Sequence, residues 1–399
     1  MDEGGMPMGP HAWKGRAHRI TVGLLVAVLL AGAAGWVRGS AAGAFTFREE
    51  PVTLGTAPWE VEGTLALPEG ASRFPGVVLV PGFGPYDRDA TTGLDTPFRD
   101  LARGLAQRGI ASIRFDKRTF LHGPKMDGKA LTVEEDLIQD ALAAARLLAE
   151  QEGLEALFIV GHGLGGTLAP EIAQRAQAAG AVLLAPLATP LDELVLRQLE
   201  EVFRADGLSA EEQAHLERAR AAVEQFRQGQ TEPAQTYLGP ARYFVDLRQR
   251  DPLGRAASYA GPLLILHGGR DRVVPPSELA LWRQRLGGRQ DVTFRLFLFL
   301  NHTFTRGEDP VLTSGFRWRR AMAPEVIETI AGWIWAQVGG EPVGPEPGGG
   351  PGDPGGALGE PAGEGLPPGS GEEGAVQPET ETPAGGGGPG FDPGLMPGA

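Results

Sequence analysis

The 399-residue chain contains no cysteine. That excludes disulfides, thiolate metal sites, a cysteine nucleophile and a lipid-modified N-terminal cysteine. It suits an exported protein that does without staples. Positive charge is scarce: 36 Lys and Arg against 50 Asp and Glu leave a formal net charge of −14. No basic stripe is present to displace counterions from phosphate, so nucleic acid is not an expected partner. Lys and Arg are missing altogether from the last 59 residues, Glu341–Ala399, which hold 20 Gly, 13 Pro and 10 Asp or Glu. Such a segment buries too little apolar surface to offset its ordering entropy, which predicts a disordered tail over residues 340–399. It has no fixed period, which excludes collagen and leaves a spacer or solvating brush.

At the other end, residues 1–44 read as a targeting segment. Ile20–Val37 is 18 residues without a charge, preceded by Lys14, Arg16 and Arg19. A positive flank stays in the cytoplasm, so the chain beyond residue 37 is expected on the outer side of the membrane. Two readings stand open. In one, residues 20–37 are a retained membrane anchor with Trp36 at the far interface. In the other, Ala42-Gly43-Ala44 is the small-residue cleavage site of a signal peptide. Both place the rest outside the cytoplasm, anchored or secreted.

Between the ends lie 295 residues, Phe45–Gly339, enough for one large core with a small cap. Phe45–Gly55 and Trp59–Leu67 alternate in polarity and predict antiparallel strands. Val77–Val80 is instead a continuous apolar run, the pattern of a strand buried on both faces. Helix Pro97–Arg108, strand Ala111–Phe115, helix Thr132–Glu150, strand Ala156–Val160, helix Gly166–Ala176 and strand Ala181–Leu184 come next. Strands alternating with helices predict an α/β fold with a mostly parallel, doubly wound sheet. From 187 to 260 the alternation stops, and amphipathic stripes such as Leu191, Leu194, Val195, Leu199 and Val202 predict an inserted helical cap. Strand Leu263–Leu266, helix Pro276–Arg285, strand Val292–Leu300 and helix Pro324–Gln337 complete the domain.

Ligands of such sheets bind outside the carboxyl ends of the strands. Strand Ala156–Val160 runs into Gly161-His162-Gly163-Leu164-Gly165-Gly166 and then a helix. Two motifs compete for this turn. Gly161, Gly163 and Gly166 satisfy the dinucleotide fingerprint literally. Against it, several strands come first, and no acidic residue follows the next strand at Leu184-Ala185-Pro186 to hold a ribose. The alternative is a nucleophile elbow, a tight strand-to-helix turn that lifts a serine above the sheet. Its serine position is Gly163, which has no side chain. Asp271 follows the strand Leu263–Leu266, and His302 follows the next strand. Elbow, acid and histidine thus occur in the chain order of a catalytic triad on this type of sheet. The loop Pro81–Asp89 opens after the strand Val77–Val80, where one oxyanion-hole amide is expected from about Phe83; the second is expected from Leu164. Asp87-Arg88-Asp89 reads as a salt-bridged brace of that loop.

Four stretches carry a family resemblance: Gly82-x-Gly84-Pro85-x-Asp87-Arg88-Asp89, Phe115-Asp116-Lys117-Arg118, Gly161-His162-x-Leu164-Gly165-Gly166 and Gly269-x-Asp271-x-x-Val274-Pro275. Through them residues 45–339 resemble the α/β-hydrolase superfamily, within it bacterial serine hydrolases related to dienelactone hydrolases and S33/S9-type peptidases. The resemblance implies an α/β-hydrolase fold and acyl hydrolysis of a small-molecule ester or peptide-like substrate, without cofactor or metal. Carried over by position, the triad is Gly163, Asp271 and His302, with Phe83 and Leu164 amides as the oxyanion hole. Two departures stand out. Pro81 replaces the group's usual histidine before the oxyanion loop, and Gly163 replaces the serine, which implies impaired activity. Ser72, Ser112, Ser209, Ser258, Ser277 and Ser314 lie in no elbow, and Thr167 stands one helical turn beyond position 163. A non-catalytic ligand-binding protein on the same scaffold is the alternative reading.

Overall fold

The computed structural model describes residues 44–204, 209–307 and 319–340. The apolar stretch 20–37, Ser314 and the tail from 341 lie outside the described residues. Among the described residues no helix is long and apolar enough to cross a membrane.

Two strands, β1 (Phe47–Leu54) and β2 (Val61–Pro68), form an antiparallel pair in register from Phe47–Pro68 to Leu54–Val61. β1 is partly buried, and its burial alternates from Glu50 to Leu54. β3 (Phe74–Val80) is buried at every residue, as its unbroken apolar run requires. β4 (Ala111–Phe115), β5 (Leu154–His162), β6 (Gly180–Leu184), β9 (Leu263–Gly268) and β10 (Val292–Phe297) complete one eight-stranded sheet in the order β1-β2-β4-β3-β5-β6-β9-β10. β2 pairs antiparallel with β4, and every pair from β4 to β10 is parallel. This is an α/β-hydrolase fold.

Side chains alternate across the sheet and build a core on each face. Val77 and Leu79 join α1 (Pro97–Ala106) and α10 (Pro324–Val338) on one face. Val78 joins α3 (Gln139–Ala149) and α4 (Leu164–Arg175) on the other. A short α2 (Arg118–His122) and a π-helical turn (Glu134–Ile138) come before α3, so the apolar stretch from Thr132 does not start as an α-helix. Burying α3 requires Asp136 and Asp140 to go in with it, and each finds a cation there: Lys117 and Arg118. The last strand ends at Phe297, three residues short of the expected Leu300, because Phe297–Leu300 closes a turn through the Leu300 amide.

Between β6 and β9 the chain leaves the sheet to form α5 (Leu191–Arg204), α6 (Ala210–Arg227), a two-residue hairpin β7–β8 (Gln235–Thr236 and Gly239–Pro240), α7 (Ala241–Gln249) and α8 (Pro252–Ser258). The apolar stripe of α5 is buried through Leu191, Leu194, Val195 and Leu199, whereas Val202 is exposed. The segment covers the sheet face that carries α3 and α4. α9 (Ser277–Leu286) follows β9. β3 has β4 on one side and β5 on the other, so the direction of winding reverses at β3 and β5. The crevice for a ligand belongs outside their carboxyl ends, at residues 81–83 and 161–164.

Candidate active site

Gly163 forms the apex of the turn between β5 and α4, with φ 54° and ψ −118°. An L-residue adopts that conformation only under strain, whereas glycine adopts it freely. Its amide donates to Leu184 O at 2.9 Å, and its carbonyl accepts from the Thr167 amide and hydroxyl. The turn is tight because its other glycines permit it. A Cβ on Gly165 would stand 2.3 Å from Val80 O, and one on Gly161 would stand 2.1 Å from Gly165 O. At Gly163 the space is open in a particular direction. A Cβ there would lie 3.7 Å from His302 Nε2 and 3.8 Å from Gly82 Cα. A hydroxyl carried on that Cβ could reach the roughly 2.6–3.2 Å that proton transfer to a base needs.

The ring of His302 is held in a fixed orientation. Its Nδ1 lies 2.8 Å from Asp271 Oδ2, and Asp271 is buried. The other carboxylate oxygen, Oδ1, accepts from the amides of Val273 and Val274 at 2.9 and 2.7 Å. The carboxylate is therefore aimed by its own loop, the Gly-x-Asp-x-x-Val-Pro stretch. The loop of His302 is tied by Asn301, whose Oδ1 accepts from the Thr305 amide and whose Nδ2 donates to Thr305 Oγ1. This Asx-type closure between buried side chains was not visible as a site in the sequence, where Asn301 was only a neighbour of His302.

Two further histidines flank the pair. His162 Nε2 meets the His302 carbonyl at 2.9 Å, and the two rings lie 4.4 Å apart. Burial among His302, Phe98 and Phe304, together with the nearby His302 ring, pushes the His162 pKa down to about 3. It stays neutral, so its Nε2–H donates to the carbonyl. His267 is buried beneath Asp271, and burial lowers its pKa too. Its Nε2 donates to Val274 O at 2.8 Å and approaches Asp271 Oδ2 at 3.6 Å. Neither histidine adds a positive charge that would compete with His302 for Asp271.

Position 163 also adjoins the loop Pro81–Asp89, through Gly82. The brace expected of Asp87-Arg88-Asp89 is present. Arg88 pairs with Asp116 and Glu62, Asp89 pairs with Arg114, and Asp87 accepts from the Thr91 amide and hydroxyl. The Phe83 ring packs against Tyr243 and Phe244 of α7, with ring centres 5.9 and 6.2 Å away. Among the described residues, neither the Phe83 amide nor the Leu164 amide, first in α4, donates to a protein acceptor.

Beside Leu164 lies a cavity of about 330 Å³. Thr167, Leu187, Leu191, Leu247, Arg248 and Leu253 line it. Glu278 shapes its rim: one buried carboxylate accepts from the amides of Ala188 and Thr189 and from the Thr189 hydroxyl. Arg248 is engaged by Asp192 and Glu193. The Thr167 hydroxyl is taken up by Gly163 O and by Leu187, so it is a strut and not a nucleophile. Ser209 caps α6, and Ser258 donates to Arg255 O. Among the described residues no group of acidic or histidine side chains could hold a metal ion.

The family model for serine aminopeptidase, S33, matches residues 96–309. Esterase EstD of Thermotoga maritima is 37% identical over 290 residues, spanning 72% of this chain and 68% of the relative. Among solved structures, Est1E from Butyrivibrio proteoclasticus aligns with a TM-score of 0.48 at 15% identity, over 72% of this chain and 99% of its own. The esterase domain of a Rhodothermus marinus protein aligns with a TM-score of 0.45 at 16% identity, over 72% and 98%.

Proposed function

From the premise that this chain belongs to the serine aminopeptidase S33 family of esterase-like α/β-hydrolases, we propose that residue 163 is its nucleophile position and that Gly163 leaves the catalytic frame without its first reagent. The observation that carries this reading is a single line of groups. Asp271 meets His302 Nδ1 at 2.8 Å, and the far ring nitrogen faces the point where a Cβ of residue 163 would stand.

With a serine at 163, the chemistry is acyl transfer. The hydroxyl attacks the carbonyl carbon of a small ester while His302 Nε2 takes its proton. Asp271 holds the ring in the tautomer with Nδ1–H and stabilises the imidazolium that forms. The Phe83 and Leu164 amides face the oxyanion, and the cavity under α7 takes the acyl or alcohol portion. His302 then returns the proton to the leaving alcohol, and water repeats the sequence on the acyl-enzyme. With Gly163 no covalent intermediate forms. A water polarised by His302 is the remaining nucleophile, and loss of the serine lowers kcat on the order of 10⁶-fold.

The same absence favours a second reading, a ligand-binding protein on a hydrolase scaffold, because the cavity beside Leu164 exists whatever residue 163 can do. Hydrolysis of short-chain p-nitrophenyl esters separates the two. Gly163→Ser is expected to gain several orders of magnitude and Gly163→Ser/His302→Ala to lose them. If both variants are as inert as the starting chain, the binding reading replaces the hydrolase reading, and ester analogues should then bind without turnover.

The positively flanked apolar stretch 20–37 supports an outward-facing location, anchored or secreted. Fractionation with N-terminal sequencing of the mature protein tests it; a soluble cytoplasmic chain with its original N-terminus would contradict it.

A further inference from the structure

Lys117 follows β4 and is completely buried. An ammonium group with no access to water is costly unless paired, and an apolar side chain of similar volume is usually no worse for stability. The position of this charge therefore calls for a reason beyond packing. Nζ has two partners: Asp136 Oδ2 at 2.8 Å and the carbonyl oxygen of Gly82 at 3.2 Å. Asp136 sits in the π-helical turn ahead of α3, a type of irregularity often found at functional sites. It also accepts from Thr119 Oγ1 at 2.8 Å and from the Tyr243 hydroxyl at 2.9 Å. The ring of that tyrosine packs edge-on against Phe83.

The Gly82 carbonyl belongs to the same peptide unit as the Phe83 amide. That bond is trans, since the cis peptides among the described residues are Ala57–Pro58 and Glu232–Pro233. In a planar trans peptide the C=O and N–H point in opposite directions. Drawing the Gly82 oxygen toward Lys117 thus turns the Phe83 N–H away from Lys117. A cation on the carbonyl also polarises the unit and strengthens its N–H as a donor. The backbone of Lys117 adds a second tie, its amide donating to Tyr86 O further along the loop. One buried carboxylate, Asp136, thereby contacts both Lys117, which holds the loop backbone, and Tyr243, whose ring packs against Phe83.

We propose that Lys117 is a positioning residue that, through the Gly82 carbonyl, aims the Phe83 amide at the oxyanion of the substrate. This rests on the reading of Phe83 as an oxyanion donor and of residue 163 as the nucleophile position. Lys117 touches no reacting atom, so its effect belongs in kcat and not in substrate affinity. Outright loss of one oxyanion donor costs about 10²–10³-fold in kcat, and a donor left in place but misdirected costs less.

The test is made in the full-length Gly163→Ser chain, with kcat expressed per active site titrated by a fluorophosphonate, so that misfolded molecules do not count. Lys117→Met is expected to lower kcat by roughly 10–100-fold with KM changed less than about threefold. Because that variant strands the Asp136 carboxylate, Lys117→Met/Asp136→Leu is measured as well. Replacing both buried charges by apolar groups is commonly tolerated, and it should show the same kcat loss. Tyr243→Phe leaves both bonds of Lys117 in place and should stay within about threefold. A double variant that folds and turns over like Gly163→Ser overturns the proposal, as does a Tyr243→Phe loss equal to that of Lys117→Met. An inert Gly163→Ser chain would instead overturn the hydrolase reading. The crystal structure of the double variant then decides the aiming claim: a Gly82–Phe83 peptide plane unmoved from its original direction refutes it, and a rotated one supports it.

Discussion

Gly165→Ala is expected to be among the most destabilising single-methyl additions in the described domain. The added Cβ would stand 2.3 Å from Val80 O and 2.4 Å from Pro81 O. Both are backbone atoms of a strand and its outgoing loop, so no side chain can swing aside. To reach even a tight 3.0 Å contact, α4 must move off β3 by roughly 0.7 Å or more. Overpacking of this kind costs about 1–3 kcal/mol, and immovable atoms on the far side place it at the upper end. A loss of about 3 kcal/mol lowers the melting temperature by roughly 5 °C in a domain of this size. The assay is urea unfolding of the purified chain, with the m-value checked for constancy. Gly128→Ala is the control, because nothing lies within 4 Å of a Cβ there. Gly163→Ala supplies the informative contrast. Its Cβ meets nothing closer than 3.7 Å, so only the positive φ of 54° is penalised, at about 1–3 kcal/mol. If Gly165→Ala unfolds at the same urea concentration as Gly128→Ala, the close strand-to-helix contact that shapes the site is refuted.

Three further outcomes are expected of the same structure. His162 is neutral in the folded chain down to a pKa of about 3, whereas unfolded histidine titrates near 6.5. Below about pH 6.5 the unfolded chain takes up a proton that the folded one does not, so stability falls as pH falls, by about 2 kcal/mol at pH 5 from this group alone. The difference in unfolding free energy between the chain and His162→Gln should therefore shrink on going from pH 7.5 to 5; an unchanged difference contradicts the assignment. Asp271→Asn in the Gly163→Ser background removes the acceptor that fixes the His302 tautomer and should lower kcat by about 10³–10⁴-fold, with the fold unchanged by circular dichroism. Asp140→Ala strands the buried Arg118 guanidinium, whose two bonds to Asp140 are 2.9 and 2.6 Å long, and should cost about 3–5 kcal/mol in urea unfolding.

Much of the fold was legible because its signals are local. An unbroken apolar run marks β3, amphipathic spacing marks α5, and the alternation of strands and helices implies the parallel sheet. Asp271 and His302 were legible because each follows a strand in triad order, and the structure brings them to 2.8 Å. What stayed hidden depends on partners far away in sequence. Lys117 and Arg118 looked like part of a family stretch; only the packing of α3 shows that each neutralises a different buried aspartate. Glu278 gave no signal, because the groups that donate to it lie about 90 residues earlier, at Ala188 and Thr189. The short helices α2, α7 and α8 were not resolved as separate elements, since each is held by tertiary contacts more than by its own periodicity.

On the proposed reading, one missing side chain separates this site from a working serine hydrolase. The most direct test is covalent labelling by a fluorophosphonate, followed by mass spectrometry of the modified peptide. No adduct is expected on the chain with Gly163, one adduct on residue 163 in Gly163→Ser, and strongly slowed labelling in Gly163→Ser/His302→Ala. Stoichiometric labelling of the Gly163 chain at another residue, at a rate matching Gly163→Ser, would contradict that reading.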